Sequence, residues 1–225
     1  VLKLLPVPID ALADPLGRTA FGFEEMPVIL LVGLWSIGRG SDCVAGRVGS
    51  GLMELLLAQP LRRLSVFASH AAVSLAGVLA LGVAAWCSTA IGVATSGFEE
   101  RPGWLDYAPA AVNLAALSTF LLGATSLAAA LASTRAQAVG WMIGFYFVEV
   151  ACKIIALLSP SYAWLKKWTF LTAYEPTLLT VGLQSEPERY GPLFWQYNGI
   201  LTGLGAAGLV VSAVLFCHRD VPAPE

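Results

Sequence analysis

The sequence has 225 residues, of which 57% are hydrophobic and 12% are charged, and its mean hydropathy is +0.72. Soluble domains carry about 25% charged residues, and a soluble fold of this size has too little interior for so much apolar surface. A bilayer removes this difficulty because the surrounding solvent is itself apolar. The net charge of −2 argues against a nucleic-acid partner, which would require a basic face. Composition therefore predicts an all-α integral membrane protein with the lipid bilayer as a partner.

Apolar runs of sufficient length predict five transmembrane helices. A helix needs about 20 mostly apolar residues to cross the hydrocarbon core. Four runs meet this length, at residues 66–94, 108–132, 136–158 and 199–217. A fifth run, 26–38, is short, and it spans only if its helix continues through Arg39 and Asp42 toward Ala45.

The segments between these runs carry most of the remaining polarity. Residues 1–25 and 97–107 are acidic linkers, and residues 133–135 form a tight turn. Residues 159–198 form a long loop rich in Trp, Tyr and Phe, which favour the membrane–water interface. We expect short interfacial or re-entrant helices in this loop, ending near Pro176.

The distribution of Lys and Arg predicts the orientation in the membrane. Basic residues are denser in residues 39–63, in 133–135 and in the C-terminal tail than on the opposite side. Cytoplasmic segments carry such an excess, so we expect a multi-pass protein of the cytoplasmic (inner) membrane with a cytoplasmic C-terminus. An odd number of spans then places residue 1 outside, which suggests one further helix upstream and six in the natural protein.

Residues 45–63 contain a short amphipathic segment, AGRVGSGLMELLLAQPLRR. Its apolar stretch, 52–58, is too short to cross a bilayer. Val48, Leu52, Leu55 and Leu56 fall on one helical face, and the proline at position 60 disfavours helix at the residue before it. We predict a short helix on the cytoplasmic side, with its apolar face against lipid or a partner.

This segment resembles permeases of the type-2 ABC exporter family, which commonly read A-G-E-x-E-x-G-T-L-E-L-L-L-A-x-P-x-x-R here. The matching positions are Ala45, Gly46, Gly51, Glu54, Leu55, Leu56, Leu57, Ala58, Pro60 and Arg63. The chain departs from the pattern at Arg47 and Gly49, where the family has glutamates, and at Leu52, where it has threonine. The order of the spans and the final FCHRDVPAP stretch are also similar to the family.

The resemblance implies that residues 1–225 form one permease domain, in which residues 45–63 are the elbow that contacts a separate ATPase subunit. ATP and magnesium would bind that subunit, and two permease copies would pair as a dimer. The implied ATPase-contact residues are Arg47, Val48, Leu52, Glu54, Leu55, Leu56 and Gln59. The family handles several classes of substrate, so the resemblance does not identify the cargo.

Candidate catalytic residues are sparse. The sequence has no G-x-x-x-x-G-K-[ST] loop and no G-x-S-x-G motif, and its only histidines are His70 and His218. We therefore predict no catalytic, cofactor or metal site in this chain, and we interpret His70 as an interfacial residue. Two alternatives to the permease stay open: a membrane-embedded anchor or assembly subunit without transport of its own, and, with less support, an intramembrane enzyme.

Glycine spacings inside the apolar runs predict close helix packing. The hexapeptide GLGAAG at 203–208 spells a dinucleotide-binding fingerprint, but that motif requires a preceding strand, and here it lies within an apolar run. Gly199 with Gly203, and Gly140 with Gly144, have the G-x-x-x-G spacing of packed membrane helices. We expect these glycines to form contacts within or between protomers.

Glu149 and Lys153 are the charged residues that lie inside a predicted span. Their i, i+4 order favours a helical ion pair, and ionised residues inside the bilayer usually face protein or water. Two hypotheses stay open: the pair neutralises itself at a packing surface, or Glu149 and Lys153 line a transport path.

Overall fold

The computed structural model describes residues 14–46, 62–97, 101–167 and 169–218. These residues are mostly helical and include no strand, which confirms the all-α prediction. The α-helices described are α1 Pro15–Phe21, α2 Met26–Ser41, α3 Arg63–Thr95, α4 Ala108–Leu131, α5 Arg135–Leu158, α6 Pro176–Ser185 and α7 Pro187–His218.

Five helical stretches are long and apolar enough to cross a membrane, and they correspond to the five predicted spans. They are Pro15–Gly46, which includes α1 and α2, and the single helices α3, α4, α5 and α7. The helix over the short run 26–38 continues as a membrane span would require. α2 extends past Arg39 into a π-helical turn, Asp42–Gly46. The chain is therefore a multi-pass membrane protein.

The predicted aromatic loop at 159–198 is more helical than expected. It begins with two 3₁₀ segments, Pro160–Lys167 and Phe170–Thr172. The expected short helices are present and the last of them ends at Thr172, near Pro176, but a further helix, α6, begins at Pro176. Proline suits a first helical turn because the N–H that it lacks would have no helical partner. α7 likewise begins at Pro187, so residues 187–198 belong to the last span.

The predicted amphipathic helix falls outside the described residues. The chain between Gly46 and Arg62 contains all seven of the implied ATPase-contact residues, so this part of the sequence analysis stays a prediction.

Contacts divide the chain into two compact units, which we describe separately. Unit 1 comprises Val1–Val32, Leu79–Leu117 and Phe147–Leu201, and unit 2 comprises Gly33–Val78, Ser118–Tyr146 and Thr202–Glu225.

In unit 2, α4 and α7 touch backbone to backbone at glycines. A Cβ added to Gly208 would lie 2.7 Å from the carbonyl oxygen of Gly123, and one added to Gly205 would lie 2.5 Å from that of Thr119. The hydroxyl of Ser212 donates to the carbonyl of Ser126 at 2.8 Å, one helical turn further on. The fingerprint hexapeptide is thus part of a packed helix, as its position in an apolar run indicated.

The glycines predicted to pack are not those that do so inside the chain. A Cβ at Gly199, Gly203, Gly140 or Gly144 would meet no atom of the described residues within 4 Å. The described residues therefore provide no contact within the protomer for these two pairs. Spacing alone does not tell which side of a helix faces a neighbour. Contacts of these glycines between protomers stay a prediction.

α2 and α3 also pack closely in unit 2. The ring of Trp35 covers Gly77, where a side chain would collide with it. His70 is only 3% exposed, and its Nε2 lies 2.9 Å from the carbonyl oxygen of Arg39. A hydrogen bond allows a polar ring to be buried, so His70 is an interior residue of unit 2, and its position at the membrane interface stays a prediction.

Candidate functional site

The richest polar cluster of unit 1 lies where residues 169–177 meet α4, α5 and α7. This segment has little regular α-helix before Pro176, so several of its backbone N–H and C=O groups need partners from elsewhere. In apolar surroundings an unpaired backbone group is costly, and side chains of the spans supply the partners.

Glu149 and Lys153 of α5 both bind this segment. A carboxylate oxygen of Glu149, which is 9% exposed, accepts a hydrogen bond from the backbone N–H of Phe170 at 3.1 Å. The ammonium of Lys153 donates to the carbonyl of Leu171 at 2.8 Å and lies 4.0 Å from a carboxylate oxygen of Glu175.

Glu149 and Lys153, both within the described ranges, do not pair with each other. The hypothesis that they neutralise each other was therefore wrong, although their helical spacing permits it. Lys153 instead takes Glu175 as its ionic partner. The physical reason lies in the 169–177 segment. Its polar groups would be buried without a hydrogen bond if Glu149 and Lys153 did not bind them.

Asn113 of α4 joins the same segment to α7. Its amide nitrogen donates to the carbonyl of Ala173 and to the side-chain oxygen of Asn198, each at 3.0 Å. Its amide oxygen accepts from the backbone N–H of Glu175 at 3.1 Å. Asn113 is completely buried. Asn113 was not among the predicted site residues, although a lone amide in an apolar run was an available signal.

The turn before α2 completes the cluster. A carboxylate oxygen of Glu24 accepts from the backbone N–H of Thr177 at 3.0 Å, and the hydroxyl of Tyr174 donates to the carbonyl of Phe23. Thr177 lies in the first turn of α6, where backbone N–H groups lack helical partners and a negative charge is stabilised. Glu24 was predicted only as part of an acidic linker.

A cavity of about 260 Å³ lies beside this cluster. Its lining residues are Glu24, Ile29, Val150, Lys153, Ile154, Leu157, Leu171 and Tyr174. Glu24 and Lys153 bring opposite charges to a wall that is otherwise largely apolar, and they do not form an ion pair with each other, since Lys153 pairs with Glu175. The cavity is therefore suited to a molecule with both polar and apolar parts.

The electrostatics of the cluster centre on Glu175. Burial raises the pKa of this carboxyl above its ordinary value, and the neighbouring Lys153 ammonium acts in the opposite direction. Glu24, a second carboxylate nearby, adds to the increase in the pKa. Lys166 also lowers this pKa, but less than Lys153 does, so removal of the Lys153 charge would take away the larger of the two opposing effects.

No known protein family or solved structure identifies the chain by similarity. Its sequence matches no protein-family model and no curated protein, and its fold matches no solved structure at a significant level. Among the described residues, no three His, Cys, Asp or Glu side chains form a group that could hold a metal ion.

Proposed function

We propose that this chain is the membrane-spanning permease subunit of an ATP-binding-cassette exporter. In this proposal it moves an unidentified substrate across the cytoplasmic membrane, using ATP hydrolysed by a separate partner subunit, and it acts as a dimer. The observation that carries the proposal is the segment 45–63, which resembles the ATPase-contact elbow of type-2 ABC exporters.

The arrangement of the spans supports this proposal. The segment connects Gly46, at the end of the first candidate span, to Arg63, at the start of the second. Fewer residues separate them than the about 20 that a bilayer crossing requires. An amphipathic connection of this length suits a contact at the membrane surface. Glu149 and Lys153 are the proposed path residues, and Lys153 has a cavity beside it.

A membrane-embedded anchor or assembly subunit is the second candidate function. Nothing in the polar cluster of unit 1 requires a moving substrate, because each hydrogen bond described there also stabilises the fold. Purification from the native membrane separates the two candidates. A co-purifying ATPase with a P-loop supports the permease, whereas a stable complex without an ATPase supports the anchor.

The elbow variants Leu55→Asp and Glu54→Lys should weaken binding of the ATPase subunit at least tenfold, while the protein stays in the membrane. An unpaired charge buried in an interface costs several kcal/mol, and about 1.4 kcal/mol is already tenfold in affinity. Co-purification and substrate-stimulated ATP hydrolysis measure the effect. Gln184→Asp, at an exposed position in α6, is the control and should bind normally. Unchanged binding and hydrolysis in both elbow variants would contradict the proposal.

The orientation is tested by labelling single cysteines in a cysteine-free background with a membrane-impermeant thiol reagent. In intact cells, cysteines at Ser50 and Ser133 should stay unlabelled because the Lys and Arg distribution places them in the cytoplasm. Cysteines at Gly97 and Ser185 should react, and Ser133, Gly97 and Ser185 are all exposed in the protein. The reverse pattern would place the elbow outside the cell, where no ATPase subunit could reach it.

A further inference from the structure

The cavity beside Lys153 has a polar end and an apolar wall. Glu24 and Lys153 form the polar end, and Val150, Ile154 and Leu157 of α5 line the wall together with Ile29 of α2. Ile154 lines the cavity and is 42% exposed. The cavity is thus continuous with apolar surface of a helix that is long and apolar enough to span a membrane. A bilayer lipid is the molecule that such a surface meets.

Lys153 and Glu24, the two charged residues at the polar end, both keep hydrogen-bonding capacity for a ligand. An ammonium has three N–H donors. One N–H of Lys153 binds the carbonyl of Leu171, and the ion pair with Glu175, at 4.0 Å, is too long to be a hydrogen bond, so two N–H groups stay available. One carboxylate oxygen of Glu24 accepts from Thr177, and the second has no hydrogen-bond partner among the described residues. The cavity therefore offers one ammonium and one carboxylate, and each keeps hydrogen-bonding capacity.

We propose that this cavity binds a phospholipid with a phosphoethanolamine headgroup. The phosphate binds the Lys153 ammonium, the primary amine of the headgroup donates to the Glu24 carboxylate, and an acyl chain lies along Val150, Ile154 and Leu157. An anionic glycerol headgroup leaves Glu24 without a cation. A choline headgroup brings a cation without N–H donors, and charge-assisted hydrogen bonds are the stronger kind of contact. The inference does not depend on transport or on an ATPase subunit.

The test is native mass spectrometry of the full chain in detergent, with dioleoyl phosphatidylethanolamine, phosphatidylglycerol and phosphatidylcholine at equal concentrations. The wild type should retain phosphatidylethanolamine over each of the other two lipids by about fivefold or more, which is the effect of one charge-assisted hydrogen bond. Glu24→Gln should remove this preference over phosphatidylglycerol. It keeps a carbonyl oxygen for the N–H of Thr177, so α6 stays capped, and the melting temperature checks that the variant is folded.

Two further variants distinguish lipid binding in the cavity from non-specific lipid retention. Glu25→Gln removes the same charge from the exposed neighbouring residue and should leave the preference unchanged. Ile154→Trp narrows the cavity from its exposed wall and should reduce retention of all three lipids. Soluble phosphoethanolamine, which lacks acyl chains, should not displace the bound lipid.

Equal retention of the three lipids by the wild type would overturn the inference. So would loss of the preference in Glu25→Gln to the same extent as in Glu24→Gln, or full retention by Ile154→Trp. Displacement by soluble phosphoethanolamine would also overturn it, since the acyl chain would then contribute nothing. Because lipid retention is measured without ATP and without a partner, failure here leaves the elbow variants and their test of the permease unaffected.

Discussion

Lys153→Met should destabilise the folded protein by about 2–4 kcal/mol, because it removes the ionic partner of a largely buried carboxylate and the donor to the carbonyl of Leu171. The side chains of Lys153 and Glu175 are only 22% and 20% exposed, so water replaces the lost partner poorly. Thermal unfolding of the purified protein in detergent, followed by circular dichroism, measures the loss. Arg101→Met, which removes a charge from an exposed position that does not act on Glu175, is the control and should unfold close to the wild type.

Two double variants show which carboxylate is the partner of Lys153. Lys153→Met with Glu175→Gln should recover more than half of the lost stability, because the unpaired charge is gone. Lys153→Met with Glu149→Gln should recover none, because Glu149 binds the N–H of Phe170 and does not pair with Lys153. Recovery of stability in the second double variant and not in the first would show that Lys153 forms its ion pair with Glu149.

The destabilisation should also depend on pH. Burial raises the pKa of Glu175, and Lys153→Met removes the larger of the two charges that oppose this increase. A carboxyl with a raised pKa in the folded state favours folding at pH values below its ordinary pKa, and this contribution is lost as the pH rises through the folded-state pKa. The free energy of unfolding of the variant should therefore be closest to that of the wild type at acidic pH. The difference between the two should grow as the pH rises. A stability difference that is constant with pH would contradict this role of Glu175.

Gly123→Leu should prevent α4 and α7 from packing and should yield little folded protein. The atoms around Gly123 belong to the backbone of Gly205, and Gly208 approaches from the same helix, so no flexible side chain can move aside. Overpacking a core typically costs about 1–3 kcal/mol, and a side chain forced between two backbones should cost more. Gly123→Ala should already lower the melting temperature. The fraction of monodisperse protein in detergent and its melting temperature measure both effects.

Gly203→Leu and Gly140→Leu are the matched controls for this prediction, since a Cβ added at either exposed position meets no described atom within 4 Å. Both variants should fold like the wild type in detergent. A normal melting temperature for Gly123→Ala would contradict the backbone contact. Damage from Gly203→Leu as large as that from Gly123→Leu would mean that the face of α7 at Gly203 also has a packing partner.

The number and position of the spans could be predicted from the sequence by itself. Partition into lipid depends on the summed transfer free energy of about 20 neighbouring residues, which is a local property of the chain. The five predicted runs and the five helical stretches therefore agree. The ends of the spans were less accurate. The apolar run at 199–217 missed the turns of α7 that begin at Pro187, because interfacial aromatic residues do not mark where a helix stops.

Which polar groups meet was decided only by the tertiary structure. Helical spacing made Glu149 the expected partner of Lys153, whereas Glu175, from a segment beyond the end of α5, is the actual one. The amide of Asn113 and the backbone contact at Gly123 likewise depend on residues of a different helix. Hydropathy is a sum over neighbours in the chain. A hydrogen bond or a backbone contact instead requires a specific atom at about 3 Å, which the rotation and register of packed helices alone determine.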